Sequence, residues 1–102
     1  MGINVIWQDE SGNEIAQIPD PDMMVSRLVL HTNLSGTTCL KFIDPYGDTI
    51  FNQRQIPTLI EELKIISTVI HDGRVESHIL RLIELAEQSK GEVHTYLKFL
   101  GD

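Results

Sequence analysis

The sequence predicts an α+β domain in which an antiparallel or mixed sheet carries a pair of helices on one face, in the order strands, helix, helix, strand. Three observations predict it. Apolar residues alternate with period two near both ends of the chain, two segments between residues 55 and 90 repeat at helical spacing, and the strands are segregated from the helices instead of alternating with them. With 102 residues, 41% hydrophobic and 23% charged, the chain fits one domain with one modest core.

Ile3, Val5 and Trp7 alternate with Asn4, Ile6 and Gln8, which reads as a strand; Ser11-Gly12-Asn13 supplies a turn, and Glu14 to Ile18 returns as the second arm of a hairpin. Pro19 and Pro21 end that arm in a loop. Val25 to His31 is rich in branched apolar residues and reads as a strand, with a short helix as the alternative because Met23 and Met24 precede it. Thr38 to Ile43 and Thr49 to Phe51 flank Asp44-Pro45-Tyr46-Gly47-Asp48, the composition of a hairpin whose Gly47 takes the left-handed conformation.

After Phe51 the period changes. Ile56, Leu59, Ile60, Leu63, Ile66 and Ile70 predict a helix over about 55 to 70, with Pro57 in its first turn, Thr58 and Glu61 at capping-box spacing, and Gly73 as its left-handed stop. Val75, Ile79, Leu82, Ile83 and Ala86 predict a second helix ending near Lys90. Leu80 and Leu85 widen its apolar face, so it packs on a sheet and either a helix or another subunit. The last segment is again a strand, Val93, Thr95, Leu97 and Phe99 pointing one way and Glu92, His94, Tyr96 and Lys98 the other.

Charge and cysteine usage narrow the function classes. A formal charge of −7 disfavours nucleic acid and anionic lipid and favours a basic protein partner. Asp9, Glu10, Glu14, Asp20 and Asp22 all precede the first basic residue, Arg27, either as a solvated edge or as a recognition surface. The lone Cys39 excludes an internal disulfide and points to a reducing, cytoplasmic setting; no export segment or membrane span is read from the sequence.

Candidate chemistry is sparse. His31, His71, His78 and His94 belong to no metal-binding spacing, so no metal or other cofactor is expected. Cys39, placed in a strand, reads as a buried structural thiol, and Ser35-Gly36-Thr37-Thr38 as a turn without the lysine of a phosphate loop. Asp44 and Asp48 bracket a hairpin tip that also presents Tyr46, and Asp9, Glu10, His94 and Tyr96 complete the candidate partner-binding residues. No catalytic residue is assigned.

The run Asp44-Pro45-Tyr46-Gly47-Asp48-Thr49-Ile50-Phe51-Asn52, the amphipathic helix after it, and the ending His94-Thr95-Tyr96-Leu97-Lys98-Phe99-Leu100-Gly101-Asp102 resemble small bacterial proteins similar to the immunity proteins of toxin systems. The resemblance covers about the C-terminal two-thirds and implies a cytoplasmic inhibitor of a toxin domain, without assigning residues. Two other classes compete with this one. One is a small enzyme or ligand-binding protein whose site of histidines and carboxylates is assembled only in the fold; the other is a homodimeric structural or regulatory subunit using the broad face of the second helix.

Overall fold

A computed structural model describes residues 2–101, with the side chain of His31 outside the description. The sequence alternation of the first segment becomes the hairpin of β1 (Asn4–Asp9) and β2 (Glu14–Ile18). Then follow α1 (Met24–His31), a short 3-10 turn at Leu40–Phe42, β3 (Asp48–Phe51), α2 (Ile56–Val69), α3 (Gly73–Ser89) and β4 (Thr95–Leu100). The strands lie in the order β2-β1-β4-β3, and every neighbouring pair is antiparallel. The fold is α+β, as the segregation of strands and helices predicts.

Register decides which residues meet. Val5 lies opposite both Ile18 and Phe99, and Leu97 opposite both Trp7 and Phe51, so one face of the sheet is a continuous apolar layer. Phe51 and Phe99 meet edge to face at 5.6 Å, a geometry that adds to the burial of both rings. On this layer lies α3, through Val75, Ile79, Leu82, Leu85 and Ala86, with α1 and α2 packed beside it. The wide apolar face of α3 is therefore met by the sheet and two helices of the same chain. Leu80, on its outer side, is exposed.

Three expectations are corrected. Residues 24–31 form a helix, not a strand: the buried Met24, Val25 and Leu28 share one helical face, and the carboxylate of Asp20 accepts from the first amides, Met24 N at 2.6 Å and Val25 N at 3.0 Å. A third helix thus joins the expected pair. Thr38 to Ile43 forms no hairpin arm, because the Glu62 carboxylate on α2 accepts from the N–H groups of Cys39 at 2.9 Å, Leu40 at 3.0 Å and Thr38 at 2.5 Å and curls the backbone into the 3-10 turn. β3 pairs with β4 instead. Gly47 is not left-handed; the glycine needed for close approach is Gly101, whose N donates to the Gly47 carbonyl at 2.8 Å and on which a Cβ would meet that oxygen at 2.6 Å.

The helix caps also differ in place. The reciprocal box is formed by Asn52 and Gln55, not Thr58 and Glu61: Asn52 Oδ1 accepts from Gln55 N at 3.2 Å, and Gln55 Oε1 accepts from Asn52 N at 2.9 Å. Gly73 does not close α2 with positive φ but opens α3, where Asp72 accepts from Arg74 N and Val75 N.

Candidate protein-binding surface

The residues that alternate with the buried layer form the second face of the sheet, which among the described residues stays half-buried or exposed. Ile6 faces Gln17 on one side and Lys98 on the other, and Lys98 faces Ile50, giving a row across all four strands. Tyr96 stands beside Gln8 at one end of this face, and Leu100 beside Asn4 and Asp48 at the other. Ile50 is 51% exposed, Ile15 is also exposed at a bulge in β2, and Ile6, Tyr96 and Leu100 are half-buried. This is an apolar centre on a face that water reaches.

The seven sequence candidates separate into two groups at opposite ends of the sheet. Asp9, Glu10, His94 and Tyr96 cluster where β4 begins, and Asp44, Tyr46 and Asp48 where it ends, about 17 Å away at about 3.4 Å per residue. At the first end, His94 Nδ1 lies 3.3 Å from Glu10 Oε2, both side chains being largely exposed. His94 is not on the strand face as expected. It adopts φ 60° in the loop before β4, and Val93 beside it is 73% exposed instead of facing the core. Tyr96 and Lys98 do share the outer face.

Not all the carboxylates are available to a partner. Asp9 accepts from Ser11 N and Asn13 N at 2.9 Å, and from Asn13 Nδ2 at 3.2 Å, so it holds the β1–β2 turn. The Asn13 backbone bond, with the others, keeps its carboxyl below the ordinary carboxylate value. Asp44 accepts from Tyr46 N at 2.9 Å and orders the second turn. Glu10 and Asp48 remain as the acids at the two ends that make no bond within their turns. Tyr46 is 75% exposed.

Sequence reasoning missed Phe42 and Ile50. Both line a cleft of about 300 Å³ between β3 and the start of α2, with Thr49, Arg54 and Thr58 on its walls and Cys39 at its base. Phe42 is 65% exposed, under Lys41 Nζ at 5.4 Å from the ring centre. The missed signal was parity: Ile50 sits one residue from the buried Phe51 and must point the other way. Cys39 is buried, as expected, and burial with the nearby Glu62 charge pushes its thiol pKa up, away from nucleophilic use.

The histidines do not converge. His71 lines an open cleft of about 430 Å³ with Arg27, Asn33 and Asp72, His78 is in the core beside Asp20, and His94 is at the sheet end; the side chain of His31 lies outside the described residues. Among the described residues, no three His, Cys, Asp or Glu side chains come together as a metal site, and no helix is long and apolar enough to cross a membrane. No protein-family model matches the chain, and no curated protein or solved structure matches it.

Proposed function

We propose that the chain is a non-catalytic protein-binding domain of the immunity-protein kind, acting in the cytoplasm, which docks a basic partner such as a toxin domain on the open face of its sheet. One observation carries the reading: Ile6 and Ile50 flank Lys98 in the middle of the open face, Tyr96 and Leu100 extend the apolar surface toward its two ends, and those ends bear Glu10 and Asp48. Exposed apolar surface rimmed by charge is the composition of a recognition patch. The overall charge of −7 selects a basic surface over an acidic one and speeds encounter with it. Phe42 and Ile50 add a cleft that can receive a partner's side chain.

The test is binding to the purified product of the adjoining gene, followed by growth of cells expressing that product with and without this protein. Tight binding, growth rescue, and loss of both in Ile6→Glu with Ile50→Glu are expected. Binding unchanged by the double variant would move the interface elsewhere, and no binding with no rescue would refute the immunity reading.

A further inference from the structure

We propose that His78 is a proton sensor beneath α1, and that mild acid releases α1 and the loop before it from α3. The basis is a buried hub at Asp20, 2% exposed, where β1, α1 and α3 meet. Its Oδ2 accepts from Ile3 N at 2.9 Å and Val25 N at 3.0 Å, and its Oδ1 from Met24 N at 2.6 Å. The open side of Oδ1 faces His78 Nε2 at 3.8 Å, beyond hydrogen-bond reach. That nitrogen is fully buried and has no hydrogen-bond partner among the described residues.

Neither neutral tautomer satisfies this arrangement. Without a proton, Nε2 turns a lone pair toward a carboxylate; with one, its donor stops about an ångström short of an acceptor. A second proton would put a full charge on an imidazole that is 8% exposed. Asp20 and Asp22, from the loop before α1, attract that charge, whereas Arg81 on α3 repels it and Arg74 lines the same cleft. Among the described residues α1 contributes the apolar Met24 to the cleft; the hub also receives Ile3 N, just before β1, and from β1 the uncharged Asn4, whose Oδ1 accepts from Asp20 N at 2.8 Å. Burial outweighs the attraction and holds the imidazole below its ordinary pKa.

The sign follows. A histidine kept neutral by the fold stabilises the closed state above its unfolded pKa of about 6.5, and that stability is lost as pH falls from there toward the folded value. The part able to yield is α1. It is eight residues long, it packs chiefly on α3, and it is entered through Met23 at φ 57°, a strained conformation for a residue with a side chain.

The experiment is amide hydrogen exchange of the whole protein at pH 7.5 and 5.5, corrected for the intrinsic pH effect, with β4 as the internal reference. The opening constant of residues 24–30 should rise relative to β4, by up to about tenfold, the limit for one pH unit below 6.5. In His78→Phe most of that rise should be lost. If that variant does not fold, the His78 ring resonances and the α1 amides of the unmutated protein are titrated together, and a shared midpoint below 6.5 is expected. Retention of the full rise in His78→Phe, equal protection of α1 at both pH values, or titration of His78 at or above 6.5 would each overturn the proposal.

Discussion

At the scale of single residues, the acidic composition hides two kinds of carboxylate. Asp9, Asp20, Glu62 and Asp72 are each bonded to two or more backbone N–H groups, whereas the exposed carboxylate of Asp48, at the start of β3, accepts from none among the described residues. Sequence alone counts them equally, because what separates them is whether the chain returns to the carboxylate, as α2 does when it brings Glu62 to residues 38–40. Removing Asp20 leaves three amide groups without their acceptor, two of them in buried residues at the start of α1, at about 1–3 kcal/mol for each that stays unmet. Asp20→Ala should therefore lose about 3 kcal/mol or more in urea unfolding, Glu62→Ala about 1–2 kcal/mol, and Asp48→Asn less than about 0.5 kcal/mol. Asp9 acts with pH: its lowered pKa means that the turn it holds is stabilised above the ordinary carboxylate value and loosened as pH falls through the lowered one. The β1–β2 turn amides should accordingly be less protected in Asp9→Asn than in the unmutated protein near neutral pH, and the difference should close as pH falls and the carboxyl of the unmutated protein is protonated, which amide exchange over a pH series measures.

Elements were legible in proportion to how far local pattern sufficed. The strands β1, β2 and β4 and the helices α2 and α3 follow from periodicity, and most of the apolar positions the pattern named are buried; Trp7, Ile70 and Ile83 are half-buried, Leu80 and Val93 are exposed, and the buried His78 and Ser89 of α3 were not named. The segments at 24–31 and 38–43 were misread because β-branched and apolar composition cannot tell a strand from a short buried helix. For α1 the alternative that Met23 and Met24 suggested, a short helix, is the one that forms, and Pro19 to Asp22 are the loop expected before it. For residues 38–43 no local signal existed, since the acceptor that bends them is Glu62, 22 to 24 positions away. Capping of α2 separates two sequence boxes by experiment. Asn52→Ala should cost about 1 kcal/mol of stability while Thr58→Ala costs almost nothing, measured by thermal and urea unfolding of both variants. Equal losses would mean that Thr58 caps the helix after all.

At the scale of the molecule, the layered arrangement turns an alternating strand into a choice of partner. The inner layer, with Phe51 and Phe99 at its centre, is matched by α3 and needs no staple, so chelator and reductant should leave the thermal midpoint unchanged. The outer layer has no counterpart among the described residues, and on the proposed reading its charges and apolar groups act at different stages of binding. Glu10 and Asp48 sit at its ends, where they meet an approaching basic surface before contact, and salt screens them over about 10 Å at 0.1 M. Ile50 and Tyr96 lie on the face itself and act only once water has been expelled. Neutralising both acids as Glu10→Gln with Asp48→Asn should slow association on the order of fivefold at low salt, which is about 1 kcal/mol of long-range attraction, and should flatten its salt dependence. Ile50→Ala or Tyr96→Ala should leave association nearly unchanged and raise the dissociation rate about 10- to 30-fold. Asp9 and Asp44 are left intact because their carboxylates hold turns, and a loss there would report a deformed tip instead of a missing charge. Binding kinetics at several ionic strengths against the adjoining gene's product measure both rates. If the charge variant leaves association unaltered at low salt, Glu10 and Asp48 serve solubility alone and the open face is not where a basic partner lands.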